Sequence, residues 1–184
     1  LMQKLIRMGI DGMEHGSLMN EETAAMIEEA GIYLVPTFCP YEEAVHYDAE
    51  KIKEKQPEFR RKLEYYKDML QAGREVICHS KIRLGYGTDF VANHQNYESG
   101  YEYEVWMNSG MSPFAALKAA SKTNSEILQL EDQIGTLEAG KLADITVFDR
   151  NLLQTETREA REAGVVMTMM DGRIVYTKAD ADKG

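Results

Sequence analysis

Short apolar runs alternate with longer helix-type segments over residues 1–133, which predicts an α/β fold. Ile32–Thr37 is nearly all apolar, as expected for a parallel strand buried on both faces, and Pro36 must lie at its end. Asn20 is a good N-cap for a helix over Glu21–Ala30 because its side chain can accept a free backbone N–H. The pattern therefore predicts alternating strands and helices.

Two further helices are expected in the polar segment from Tyr41 to Gly73. Pro57 divides it and should lie near the start of the second helix, where a proline ring fits. The sequence opens on Leu1–Gly9, with apolar residues at helical spacing and a terminal glycine. We interpret this stretch as the end of a helix in a chain that begins within a fold.

The pattern changes at about Ile134. After it come short β runs over Leu142–Phe148, Val165–Met169 and Arg173–Thr177. Asp171-Gly172, between the last two runs, is a strong signal for a two-residue hairpin. We therefore predict two domains, an α/β segment over residues 1–133 and small β-sandwich strands over residues 134–184.

Two of the predicted strands end on side chains that can bind a metal. Ile10–Gly16 is a short strand ending on His15, and Lys81–Asp89 is a strand ending on Asp89. Catalytic groups collect at such strand ends in parallel α/β barrels, and imidazole and carboxylate are common ligands of catalytic zinc. A carboxylate beside a metal-bound water can also act as general base. His94 follows in the next loop, where a substrate contact is expected.

Composition narrows the possible functions. The 184-residue chain has a net charge of −10, which argues against nucleic acid and anionic membrane surfaces as partners. No apolar run is long enough to cross a bilayer. Cys39 and Cys78 are the two cysteines; we expect them to be unpaired thiols in a reducing compartment, and hence a cytoplasmic location, while a disulfide between them is the alternative. A glycine-rich phosphate loop and a Gly-x-Ser-x-Gly elbow are both absent from the sequence. His46 and His79 are interpreted as structural.

Several short motifs occur together in an order that resembles the carboxyl-terminal half of the amidohydrolase superfamily. The nearest branch is the one of prolidase-like and imidazolonepropionase-related hydrolases. The motifs are Glu14-His15-Gly16, Val35-Pro36-Thr37, Gly87-Thr88-Asp89, the segment 110–117 and the segment 134–144. The resemblance implies strands six to eight of a (β/α)8 TIM-like barrel, followed by strands of a small β-sandwich.

The same resemblance implies roles for three residues. His15 matches the metal-ligand histidine of strand six. Asp89 matches the strand-eight aspartate, which binds metal and takes a proton from the attacking water. His94 resembles a histidine near the substrate in the following loop. The implied cofactor is one or two divalent metal ions, and zinc is the expected metal. The implied reaction is hydrolysis of an amide or related C–N bond.

The superfamily's His-x-His of strand one, its bridging lysine and its strand-five histidine are absent from this sequence. We expect them upstream of Leu1. Because three barrel strands leave an unpaired apolar edge, we expect a homo-oligomer or association with the missing amino-terminal half. The substrate is expected to be a small dipeptide-like molecule or a cyclic amide. The alternative is a non-catalytic folding or interaction module.

Overall fold

The computed structural model describes residues 1–46, 56–90 and 100–181. The chain divides into two compact units, Leu1–Asn96 and Tyr97–Gly184. The domain boundary predicted at residue 134 falls inside the second unit and stays a prediction. Among the described helices, each is either too short or too polar to span a bilayer.

The first unit contains a parallel sheet with the strand order β1-β2-β3. Met13 pairs with Leu34, and Leu34 pairs with Leu84. Leu34 is fully buried, as expected for the central strand of a parallel sheet. The elements are α1 (Met2–Arg7), β1 (Gly12–Glu14), α2 (Glu21–Ala30), β2 (Tyr33–Val35), α3 (Glu42–Val45), α4 (Pro57–His79) and β3 (Arg83–Leu84).

Local signals fix both ends of α2, as predicted. The Asn20 side chain accepts a hydrogen bond from the Thr23 backbone N–H at 2.9 Å, and Gly31 ends the helix in the left-handed conformation. Pro57 is the first residue of α4, where its missing N–H has no consequence. These helices begin where the sequence predicts.

Two boundaries differ from the prediction. The strand expected to end on Asp89 ends at Leu84, and Asp89 lies in the loop that follows. Helix α4 continues past Gly73 to His79. A Cβ on Gly73 would lie 2.3 Å from the Ser17 carbonyl oxygen, so this glycine allows a close helix-to-loop contact instead of ending the helix.

The second unit combines helices with an antiparallel sheet in the order β4-β5-β6. The predicted hairpin is confirmed: Asp171 and Gly172 have φ values of 47° and 73°, as a type I′ turn requires. Trp106 is fully buried and donates to Glu102 at 2.8 Å. The elements are α5 (Tyr101–Asn108), α6 (Pro113–Lys118), a π-helical turn (Ala119–Thr123), α7 (Asn124–Ile127), β4 (Ile145–Phe148), α8 (Thr157–Arg161), β5 (Val165–Met170), β6 (Arg173–Thr177) and α9 (Lys178–Ala181).

Candidate active site at the carboxyl edge of the parallel sheet

His15 is held at the end of β1 by two hydrogen bonds. Its backbone N–H donates to the Val35 carbonyl at 2.9 Å, which extends the pairing of β1 with β2 by one residue. Its ring atom Nδ1 lies 2.8 Å from the Thr37 hydroxyl, and Thr37 is buried. Nε2 is therefore the ring nitrogen left without a hydrogen-bond partner among the described residues.

The loop after β3 carries Asp89 across the end of β2 towards His15. Gly85 donates to the Leu34 carbonyl at 2.9 Å. A Cβ on Gly87 would lie 2.8 Å from Val35 Cγ1, closer than real side chains approach, so the loop can follow this path only with glycine there. The result is a separation of 3.8 Å between Asp89 Oδ2 and His15 Nδ1. The structure thus brings the two predicted residues together.

The pair is open to solvent and has an unusual backbone. The side chains of His15 and Asp89 are 44% and 53% exposed. Both residues have positive φ, 67° and 46°, a region that few residues other than glycine adopt. Such strained positions cluster at functional sites. The local fold therefore holds an imidazole and a carboxylate at a solvent-accessible strand edge.

The two side chains fit part of a metal site. Their donor atoms are an imidazole nitrogen and carboxylate oxygens, which suit a divalent ion. The Thr37 contact on Nδ1 also fixes the ring, as the second hydrogen bond of a metal-binding histidine commonly does. Among the described residues, three or more His, Cys, Asp or Glu side chains nowhere meet in a metal-binding group. The pair can therefore supply two ligands but not a complete set.

The other histidines do not join the pair. His94 lies outside the described residues, so its predicted substrate contact stays a prediction. The ring of His46 is largely exposed and lies 3.0 Å from Glu42, while His79 Nδ1 lies 2.8 Å from the Glu75 carbonyl. Both contacts are local to a helix, as the structural interpretation predicts.

Thr37 and Gly87 lie at the candidate site, and the sequence alone assigned no role to either. Both belong to the quoted motifs, Val35-Pro36-Thr37 and Gly87-Thr88-Asp89, and that proximity to the candidate residues was the available signal. The contacts that reveal their roles join segments far apart in sequence.

A buried ion pair lies in the same unit. Arg74 on α4 donates to Glu42 on α3, and both side chains are nearly buried. The Arg74 guanidinium also lies over the Phe38 ring, 4.9 Å from its centroid. Because each charge is matched, we assign the pair to holding α3 against α4 rather than to chemistry.

Cys39 and Cys78 are not joined by a disulfide, as predicted. Cys39 is buried. Burial raises the pKa of Cys78 to about 11, although the nearby Arg74 charge acts in the opposite direction. A thiol that stays protonated at neutral pH is a weak nucleophile, so Cys78 is not a candidate catalytic group.

Several solved structures resemble the chain. A Xaa-Pro dipeptidase with bound methionine in its active site is 28% identical, with a TM-score of 0.76, 96% of this chain covered and 42% of that one. A prolidase complexed with N-methylphosphonate-L-proline is 23% identical, with a TM-score of 0.74 and coverages of 96% and 43%. The ochratoxinase of A. niger is 21% identical, with a TM-score of 0.77 and coverages of 96% and 39%.

The chain thus spans less than half the length of these proteins, and the α/β fold is confirmed over that part. A search of curated proteins gives no match. A profile of the amidohydrolase family matches residues 3–176, nearly the whole sequence. The chain therefore belongs to the amidohydrolase family.

Proposed function

We propose that the chain is the carboxyl-terminal part of a metal-dependent enzyme that hydrolyses an amide or related C–N bond. The observation on which this depends is the pairing of His15 with Asp89, 3.8 Å apart at the carboxyl edge of a parallel sheet. Membership of the amidohydrolase family supports the same reaction class. In this proposal β1, β2 and β3 correspond to strands six to eight of a (β/α)8 barrel.

His15 and Asp89 are the residues of this chain that would hold the ion, for which we propose zinc. A bound divalent ion supplies a water of lowered pKa and polarises the carbonyl of the substrate. Thr37 keeps the His15 ring in one orientation through Nδ1. Asp89, half exposed beside the ring, accepts the proton of the attacking water. His94 is proposed to contact the substrate.

The remaining ligands are proposed to come from outside this chain, because the described residues contain only part of a set. The partner is the preceding part of the same enzyme or a second copy. Strands β1 and β3 each have one neighbour within the described residues, so each leaves backbone groups free for a further strand. A further strand at either edge would satisfy those backbone groups, and the chain segment that supplies it would also complete the site.

For the substrate we propose a dipeptide-like amide, with a cyclic amide as the alternative. The Xaa-Pro dipeptidase is the 28% identical structure that supports the first choice. Cys39 and Cys78 are not joined by a disulfide, which supports a reducing compartment, and we propose the cytoplasm.

The test is to measure zinc binding and dipeptide hydrolysis for this chain alone and for the chain co-expressed with the preceding part of its reading frame. We expect weak zinc binding and no turnover from the chain alone, because a catalytic zinc usually has three protein ligands. Both zinc binding and turnover should appear when the two parts are produced together; we call that assembly the combined enzyme.

Two results would contradict the proposal. One is tight, stoichiometric zinc and dipeptide hydrolysis in the chain alone. The other is a combined enzyme that folds and binds no metal. That second result would favour the alternative, a non-catalytic module with the family's shape, which is consistent with the absence of a three-residue metal group among the described residues.

A further inference from the structure

A mostly apolar cavity of about 340 Å³ opens in the first unit, between α4 and the loops that follow β1 and β2. Its volume is within the range of small-molecule pockets. Leu70 lines the cavity and is buried in a cluster with Val45. The other apolar residues that line it are Leu18, Tyr41, Leu63 and Tyr66.

Two residues that line the cavity are close along the chain to residues of the candidate active site. Ser17 lines the cavity and is two residues after His15, so their Cα atoms are at most about 7.6 Å apart. Tyr41 is four residues after Thr37, which contacts the His15 ring. Helix α4 is fixed against the first of these loops, since Gly73 approaches the Ser17 carbonyl too closely to allow a Cβ.

Two residues of the cavity wall expose apolar surface that the described part of the chain leaves uncovered. Leu18 is 41% exposed and Tyr66 is 40% exposed, although each has apolar neighbours in the cavity wall. Ser17 and Lys62 are the polar lining residues. A mostly apolar cavity whose wall includes exposed apolar side chains suits an uncharged, apolar ligand group, because binding that group removes both apolar surfaces from water.

We propose that this cavity is the subsite for an aromatic or branched aliphatic group attached beside the scissile C–N bond. The inference rests on the proposed hydrolase function, and it names the substrate class: amides with one large apolar group. A methyl group would leave most of the cavity unfilled. Substrates with a phenyl group should therefore exceed their methyl analogues in kcat/KM by about tenfold or more.

Binding can be measured on the full chain without any metal or turnover. The probe is N-acetyl-L-phenylalaninamide, and N-acetyl-L-alaninamide is its methyl control. In leucine-methyl NMR spectra, the phenyl probe should shift the signals of Leu18, Leu63 and Leu70, while the exposed Leu137 and Leu153 should not move. The alanine analogue should shift none of them.

Two variants on α4 give a matched comparison. Tyr66→Ala removes an exposed wall residue, whereas Met69→Ala removes a residue of similar exposure, 44%, that does not line the cavity. We expect Tyr66→Ala to weaken binding of the phenyl probe about fivefold or more, and Met69→Ala to leave it unchanged. Circular dichroism and thermal melts check that both variants fold.

Hydrolysis of two dipeptides by the combined enzyme, set beside the leucine shifts, separates this inference from the proposed function. If the combined enzyme hydrolyses phenylalanyl-proline and alanyl-proline at equal rates and the phenyl probe shifts no leucine signal, the subsite is overturned and the proposed hydrolase function stands. Leucine shifts without hydrolysis of either dipeptide would count against the hydrolase, while the apolar binding site would stand. Equal shifts at all exposed leucines would overturn the subsite, because they show non-specific binding.

Discussion

Within the described residues, the two sheets have the same number of strands and very different burial. In the parallel sheet, Leu34 of the central strand is fully buried. In the antiparallel sheet, Ile174 and Val175 of β6 are each 57% exposed. Helical crossover connections cover a parallel sheet, whereas an antiparallel sheet built from hairpins can leave a face in water.

This difference explains where the candidate chemistry lies. All strands of the parallel sheet end at one edge, so the residues that follow β1, β2 and β3 meet there. The antiparallel strands alternate in direction, and their connecting turns are divided between two edges. A parallel sheet can therefore position side chains from several loops around one point.

The largest expected effect comes from truncating one apolar residue in each sheet. Leu34→Ala should lower the free energy of unfolding by about 2–5 kcal/mol, because it opens a cavity in the core. Ile174→Ala should cost less than about 1 kcal/mol, because its side chain is already largely in water. Urea denaturation followed by circular dichroism measures both. Equal losses in the two variants would show that the sheets do not differ as their burial indicates.

A second comparison uses two aspartates with the same backbone conformation. Asp89 at the candidate site and Asp171 in the hairpin have φ values of 46° and 47°. Asparagine tolerates this conformation, so both Asp→Asn variants should keep their fold. In the combined enzyme, Asp89→Asn should lower kcat by about 100-fold or more, since it removes the proton acceptor and weakens a ligand. Asp171→Asn should leave kcat unchanged.

Dipeptide hydrolysis under saturating zinc measures this pair of variants. Full activity of Asp89→Asn would exclude Asp89 as the proton acceptor. A loss of activity in both variants would point to a general effect of the substitution rather than to the site.

The sequence predicts most reliably what depends on neighbouring residues. Asn20 and Gly31 bound α2 through contacts within one turn of the helix, and Asp171-Gly172 closes its hairpin through backbone preference alone. Such signals act within a few residues, so they can be recognised without knowledge of the fold.

The two boundary predictions that were wrong depended on contacts between residues far apart in sequence. Gly73 has the local signature of a helix end, yet α4 continues because the glycine faces the Ser17 carbonyl from a distant segment. β3 stops at Leu84, and the path of the following loop depends on how Gly87 passes Val35. The pairing of His15 with Asp89 could be anticipated from motif resemblance, whereas the contact of Thr37 with the His15 ring is visible only in the folded structure.

A smaller effect is expected from the residue that orients the His15 ring. Thr37→Val keeps the volume and removes the hydroxyl that lies 2.8 Å from Nδ1. We expect zinc affinity and kcat/KM of the combined enzyme to fall about tenfold, as when a second hydrogen bond of a metal-binding histidine is lost. Thr37→Ser restores the hydroxyl and should recover most of both.

A purely structural role for Thr37 would lower stability without changing the ring. The ¹⁵N chemical shifts of His15 report its tautomer directly. An unchanged tautomer in Thr37→Val, together with unchanged zinc affinity, would contradict the positioning role.

The smallest expected effect is the dependence of folding stability on pH. The first unit should lose stability in alkaline solution and the second in acidic solution. Burial raises the pKa of Cys78 in the first unit from 9.0 to about 11. The hydrogen bond from Arg150 lowers the pKa of Asp149 in the second unit below 3.8. The Cys78 contribution to stability is complete below pH 9 and is lost as pH rises towards about 11, because only the unfolded thiol ionises in that window. The Asp149 contribution is present above pH 3.8 and is lost in more acidic solution.

Urea midpoints measured from pH 7 to pH 11 test the alkaline limb. The midpoint should fall more steeply above pH 9 in the unmodified protein than in Cys78→Ala, which lacks the thiol, while Asp149→Asn should follow the unmodified protein throughout. Iodoacetamide gives an independent check: at pH 8 the folded protein should react at Cys78 far more slowly than the unfolded chain, since the thiolate is the reactive form. Equal rates in the folded and unfolded protein, or identical alkaline slopes with and without Cys78, would show that burial does not hold this thiol in its neutral form.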